Sequence, residues 1–297
     1  MCGIMGYYCF DEKRPSKEHI TEMFSLLDTR GRDASGFAFI DNKQLIVQKA
    51  AIKSSQYVKT EEWKNVILPK IMILHTRAAT QGSSKNNMNN HPLFNKQGIA
   101  IIHNGIIYND KDILPKNQRD GEVDSEAILA VLSSKGKGDK IKRVFDRLEG
   151  SYAFAVVSKD EPDKLTLVKK DNPIDLYYDE NSDILYFCSE RIIMKEALGL
   201  KTKSIRGFNL GEGGFHFYEM KNNHGLILGS DGVESYIQYH PRRTSYRNRD
   251  FTYSSRDDEF IIECPYCLEQ TSFFVGRLFN KCTYCGMDIN EEELYYS

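Results

Sequence analysis

Cys2 directly follows the initiator methionine and opens the apolar run Cys2-Gly3-Ile4-Met5-Gly6-Tyr7-Tyr8. Removal of one residue would leave a thiol and a free α-amine on the same amino acid. A thiol with an ordinary pKa of about 8.5 and an α-amine near about 7.8 both lie close to neutral pH, so the amine can take the thiol's proton without a separate histidine. This chemistry needs an exposed chain start, whereas a cysteine that served only as a small buried apolar residue would not. A second group of cysteines has a different logic. The spacing C-x2-C-x14-C-x2-C, formed by Cys264, Cys267, Cys282 and Cys285, offers four thiolates in two tight turns that can close a tetrahedron around zinc. Gly286 supplies backbone freedom after the last ligand. Four sulfurs leave no open coordination position, so the expected zinc is structural. The odd total of seven cysteines disfavours a disulfide framework, and Cys9 and Cys188 read as core residues.

Between these two groups the chain carries Arg30-Gly31-Arg32-Asp33-Ala34-Ser35-Gly36, His75-Thr76-Arg77, Asn90-His91-Pro92, His103-Asn104-Gly105 and Asp124-Ser125-Glu126. Leu148-Glu149-Gly150-Ser151-Tyr152 and Ser189-Glu190-Arg191 follow. Their order, behind an N-terminal Cys-Gly-Ile, resembles the class II glutamine amidotransferases over about residues 2–219. The resemblance implies an α+β, four-layer αββα fold of the N-terminal nucleophile hydrolases. It also implies hydrolysis of the side-chain amide of L-glutamine through a Cys2 thioester, giving glutamate and ammonia with no cofactor for that reaction.

The resemblance assigns roles that local physics accommodates. Thiolate attack on an amide carbon places negative charge on the oxygen, which needs donors fixed where that charge appears. In the family an asparagine side-chain amide and a glycine backbone N–H form this oxyanion hole, and Asn104 and Gly105 match them, in an expected turn that ends the apolar strand 99–103. In isolation Asn-Gly would be a simple hairpin turn. Arg77 is expected to hold the α-carboxylate of glutamine through paired hydrogen bonds and Asp124 to accept from its α-ammonium. Thr80 and His91 match further substrate-binding positions, and Arg30 and Asp33 match a segment that orders the site without reacting. Taken singly, an arginine that ends an apolar run and an aspartate at a helix N-cap are common structural choices. His75, His91 and His103 belong to motifs that need no metal. Some members of the family have tryptophan after His-Thr-Arg and histidine after the next threonine; here those positions hold Ala78 and Gln81.

The elements that must position these residues follow from apolar periodicity. Ile20, Met23, Phe24 and Leu27 recur at helical spacing after Ser16 and before Gly31. The short apolar segments 36–40, 45–49, 71–75 and 99–103 read as strands. Two helical faces follow, around Ala127–Leu132 and Ile141–Leu148, separated by a Gly- and Lys-rich turn at 135–138. Strands resume at 152–158, 164–169, 175–178 and 184–188. Ser189 is expected to cap a helix through about Leu198, and a last strand covers roughly 215–219. Strands, helices and strands again fit two sheets packed face to face and covered by helices.

Composition bounds what remains. With 297 residues, 40% hydrophobic and 28% charged, the chain has room for one large domain and a small one. The expected organisation is a glutaminase domain at 2–220, a linker or basic arm at 221–258 and a zinc ribbon at 259–297. A net charge of -2 argues against global affinity for nucleic acid or anionic membrane. No apolar run approaches a bilayer span and no secretion signal is evident, so the expected location is the cytoplasm. Residues after 220 lack a phosphate-binding glycine loop, and the ammonia acceptor is therefore expected on a separate synthetase or amidating enzyme. A rival reading makes the tail primary, as a zinc-ribbon module whose Arg242, Arg243, Arg247 and Arg249, interleaved with Tyr246, contact nucleic acid. Asp250, Asp257, Asp258 and Glu291-Glu292-Glu293 oppose that charge. A third reading, hydrolysis of other amides by the same nucleophile, leaves Arg77 and Asp124 without a joint purpose.

Overall fold

Met5, Tyr7 and Cys9 belong to one buried cluster and Ile4 and Tyr8 to another, because successive side chains of a strand point to opposite faces. Strand β1 (Gly3–Cys9) is buried along its whole length, and so its sequence is continuously apolar where a half-exposed strand would alternate. This computed structural model describes residues 1–134, 139–200, 204–205, 208–209, 216–239, 259–263, 270–274, 280–281 and 288–289. The chain divides into two compact units, Met1–Arg242 and Arg243–Ser297.

After β1 the first unit forms helix α1 (Lys17–Leu26), the hairpin β2 (Ala34–Asp41) and β3 (Gln44–Ala50), the single turns α2 (Ser54–Tyr57) and α3 (Glu61–Lys64), and β4 (Ile71–Arg77). Next come β5 (Leu93–Phe94), β6 (Ile99–Ile107), the turn α4 (Asp110–Ile113), and helices α5 (Glu126–Ser133) and α6 (Lys140–Arg147). Strands β7 (Gly150–Ser158), β8 (Glu161–Lys170), β9 (Asp175–Asp179) and β10 (Ile184–Cys188) lead to helix α7 (Arg191–Ala197). The short pair β11 (Ser204–Ile205) and β12 (Phe208–Asn209) precedes β13 (His216–Glu219), β14 (His224–Gly229) and β15 (Gly232–Gln238).

Two antiparallel sheets result, one ordered β13-β9-β10-β1-β4-β2-β3 and the other β15-β14-β8-β7-β6-β5. Three buried clusters separate four layers. Phe24 of α1 and Met194 of α7 pack on Met5, Tyr7 and Leu74 of the first sheet. The opposite face of that sheet, with Ile4, Tyr8 and Ile73, meets Ala100, Ile102 and Ala155 of the second. The outer face of the second sheet, with Ile101 and Phe154, is covered by Ile128 and Val131 of α5 and Val144 of α6. Helices, sheet, sheet and helices therefore stack as the strand and helix pattern predicts. Truncating the fully buried Phe24 to alanine should cost about 3–5 kcal/mol, through lost transfer energy and the cavity left behind.

Several local expectations are corrected. Ser16, after which the helical spacing begins, caps α1, its hydroxyl accepting from the backbone N–H of His19. Ser189 caps no helix; its hydroxyl accepts from the Ile4 backbone N–H at 2.9 Å and ties the start of α7 to β1. Helix α5 starts from Ser125, so Asp124 is not its N-cap. Residues 224–238, expected within a linker, form the β14–β15 hairpin that extends the second sheet beyond β8. The exposed positions of β15 explain why its pattern reads as a linker. Residues 135–138 lie outside the described residues.

In the second unit β16 (Glu259–Glu263) pairs antiparallel with β17 (Gln270–Phe274), and β18 (Asn280–Lys281) with β19 (Asp288–Ile289). Cys264, Cys267, Cys282 and Cys285 and the arginines at 242–249 lie outside the described residues. Among the described residues no helix is long and apolar enough to cross a membrane.

Candidate active site

The antiparallel register sets Gly3 beside Thr76, so the next residue out, Cys2, emerges opposite the end of β4, where Arg77 stands. The Cys2 Sγ lies 3.6 Å from the carbonyl oxygen of Ala78. Burial pushes the thiol's pKa up, and the hydrogen bond to Ala78 and the positive charges of the amino terminus and Arg77 offset that rise only in part. The sulfur therefore rests as a thiol and needs a base to take its proton before it can attack.

The turn that carries Arg30 and Asp33 is built against the same corner. A Cβ on Gly31 would stand 2.4 Å from the Arg77 carbonyl carbon, so only glycine lets this turn approach the end of β4. Arg30 donates from Nε to the Cys2 carbonyl oxygen at 3.3 Å and from NH1 to Glu190 at 2.9 Å. Asp33 accepts from the Ala79 backbone N–H at 2.7 Å. Both side chains thus hold backbone, Arg30 that of the chain start and Asp33 that of the segment after β4.

Asn104 and Gly105 do not end the strand. They lie inside β6, paired with Ala153 and Tyr152 of β7. Gly105 has φ +140, a region that disfavours side chains, and an added Cβ would fall 2.1 Å from the Ser151 carbonyl oxygen. The Asn104 side chain is buried, and among the described residues its Nδ2 has no hydrogen-bond partner. Leaving a buried amide donor without an acceptor costs about 1–3 kcal/mol, an arrangement that suits a donor awaiting an incoming oxygen.

Arg77 is buried and already engaged. Its NH1 donates to Asn90 Oδ1 at 2.9 Å, and its NH2 to the carbonyl oxygens of Gln81 and of Gly82, the latter at 2.9 Å. Asp124 accepts from the Ile107 backbone N–H at 2.6 Å and from the Ser125 hydroxyl at 3.4 Å. Arg77 and Asp124 both lie close enough to act electrostatically on the Cys2 thiol, so sulfur, cation and carboxylate share one corner of the fold. Thr80 is exposed on the bend that follows β4.

Three buried imidazoles lie behind this corner. His75 Nε2 donates to the His103 carbonyl oxygen at 2.9 Å and thereby joins β4 of one sheet to β6 of the other. His91 stacks on His75 with ring centroids 4.4 Å apart, and both its nitrogens lack a partner among the described residues. Burial lowers all three: His75 to about 3, His103 to about 4 and His91 well below its ordinary value. Neutral rings of this kind brace the sheets, and among the described residues no group of three or more His, Cys, Asp or Glu could hold a metal. Sequence reasoning did not single out Ser125, which bridges His103 to Asp124, or Lys49, which binds the 90–92 segment. The quoted Asp-Ser-Glu motif contained the first; a lysine on an edge strand gave no signal for the second.

Residues 75–196 match the family model described as a glutamine amidotransferase domain. The chain is 32% identical over 245 residues to the glutamine–fructose-6-phosphate aminotransferase (isomerizing) of Clostridium tetani, covering 79% of this chain and 36% of that enzyme. It is 35% identical over 185 residues to the Clostridium perfringens enzyme of the same name, covering 59% and 29%. The chain thus spans about a third of the length of the curated relatives it matches. In structure it is similar to glutamine phosphoribosylpyrophosphate amidotransferase from B. subtilis, with a TM-score of 0.62, 19% identity, and coverage of 81% of this chain and 50% of that one. The likeness shows a shared fold of two antiparallel sheets.

Proposed function

The chain carries a class II glutamine amidotransferase domain, and we propose that it hydrolyses the side-chain amide of L-glutamine with Cys2 as an N-terminal nucleophile. Loss of Met1 frees the Cys2 α-amine, which takes the thiol proton. The sulfur attacks the amide carbon, and the oxygen that gains charge is held by Asn104 Nδ2 and the Gly105 N–H. The C–N bond breaks, ammonia leaves with the proton, and water then splits the thioester to glutamate and free thiol. Arg77 receives the substrate carboxylate and Asp124 its ammonium, with Thr80 and His91 alongside. Arg30 and Asp33 hold the chain start and the segment after β4. The observation that carries this reading is the buried Asn104 amide, without a partner among the described residues, on a strand whose next residue must be glycine.

The ammonia goes to an acceptor on another polypeptide. The matched relatives are named for fructose 6-phosphate, and this chain covers about a third of their length. The spacing C-x2-C-x14-C-x2-C of Cys264, Cys267, Cys282 and Cys285 favours a structural zinc with all four thiolates as ligands. A domain plan of glutaminase followed by zinc ribbon, in the cytoplasm, completes the proposal. Ammonia release from glutamine by the full chain, lost in Cys2→Ala, tests the catalytic half. Full-rate glutamine hydrolysis by a protein that captures no second enzyme would falsify the acceptor half.

A further inference from the structure

Lys49 lies on β3, the edge strand of the seven-stranded sheet, yet its side chain turns inward. Its Nζ donates to the Asn90 carbonyl oxygen at 2.6 Å and to the Pro92 carbonyl oxygen at 3.1 Å. The Lys49 carbonyl oxygen in turn accepts from Asn87 Nδ2 at 3.2 Å. The segment 87–92 is therefore clamped to the edge strand through both the side chain and the backbone of one residue. Asn90 passes the constraint on: its Nδ2 donates to the Ser84 carbonyl oxygen at 2.7 Å and to Asn87 Oδ1 at 2.9 Å, which leaves Oδ1 aimed at Arg77 NH1, 2.9 Å away. The Arg77 guanidinium is thus oriented by a carboxamide that Lys49 holds in place.

We propose that Lys49 is a positioning residue for glutamine recognition, acting through Asn90 on the orientation of the Arg77 guanidinium. The proposal rests on the reading of Arg77 as the seat of the substrate carboxylate. The bonds to Asn90, Gln81 and Gly82 fix the plane of the Arg77 guanidinium, and its charge and remaining N–H groups meet a carboxylate in one direction only while that plane is held, so freeing Asn90 weakens substrate binding more than it slows the chemistry. An exposed edge-strand lysine would be an ordinary solubility device, but burial and the nearby Arg77 charge lower this amine to about 8, a cost that two carbonyl acceptors help offset.

The test is a double-mutant cycle on the full chain after loss of Met1, with glutamine KM and kcat measured for wild type, Lys49→Met, Arg77→Ala and the double variant. Loss of charged hydrogen bonds to the loop should raise KM about 10- to 100-fold in Lys49→Met, with kcat changed by less than about threefold. Because Lys49 acts through Arg77, the double variant should match Arg77→Ala within about twofold. If Lys49→Met multiplies KM by the same factor in the Arg77→Ala background, or lowers kcat with KM intact, the proposal is overturned. If Arg77→Ala leaves KM unchanged, the glutamine-binding reading itself falls, and this inference with it. Should Lys49→Met fail to fold by circular dichroism, Lys49→Gln, which keeps a donor of similar length, serves in the same cycle.

Discussion

Gly105→Ala should strike stability and catalysis together, because the crowded position is also the one that carries an oxyanion donor. The added methyl would stand 2.1 Å from the Ser151 carbonyl oxygen, about 1.3 Å inside the 3.4 Å at which ordinary van der Waals contact begins, with Tyr152 Cα at 2.7 Å. Both neighbours are backbone of β7, so relief requires β6 and β7 to part at the position that carries the oxyanion donors. Holding a side chain at φ +140 costs about 1–3 kcal/mol, and overpacking adds about another 1–3 kcal/mol. A melting temperature several degrees lower is expected, and kcat should fall about 10²- to 10³-fold as one donor moves out of place. The control is Gly199→Ala, which shares positive φ (+63) but would meet nothing within 4 Å. It should lose stability from backbone strain alone and keep kcat. Thermal melts and initial rates of ammonia release at saturating glutamine measure both. A folded Gly105→Ala protein with kcat within about threefold of wild type would refute the placement of the oxyanion hole.

Asn104→Ala should lower kcat by about 10²- to 10³-fold with KM little changed, whereas Arg77→Ala should act mainly on KM; equal effects on both constants in both variants would undo that division. The buried histidines predict a pH dependence of stability. Their folded pKa values lie below the unfolded value of about 6.5, so the unfolded chain binds more protons as pH falls below 6.5, and each imidazole removes up to about 1.4 kcal/mol per pH unit. Denaturant titrations at pH 6 and 5 should show His91→Phe with a shallower loss than wild type, and an identical slope would contradict the neutral state of His91. Zinc analysis of the purified chain should give about one ion per polypeptide, reduced by Cys264→Ser, if four thiolates close the site; a metal-free, folded tail would remove that proposal.

Much of the layered fold was legible because burial writes itself into period. β1 reads as a continuous apolar run since both of its faces are covered, and α1, α5 and α6 reveal single buried faces. The edge was harder: β15 alternates over exposed positions and joins the sheet only through β14, so its chain reads as linker. Asn104-Gly105 suggested a turn because that dipeptide favours one, yet a glycine at φ +140 continues an extended strand where a side chain would be strained. Asp124 looked like an N-cap, but its carboxylate turns to the Ile107 amide and leaves the helix start to Ser125. Lys49 was invisible for a different reason. Its partners are carbonyl oxygens some forty positions away, and backbone acceptors leave no trace in residue identity.

Mass spectrometry of the acid-quenched reaction with glutamine addresses the nucleophile most directly. The account predicts a chain that begins at Cys2, with a transient glutamyl adduct confined to its N-terminal peptide and absent from Cys2→Ala. A chain that retains Met1 while releasing ammonia at the wild-type rate, or an adduct on any other residue, would contradict it.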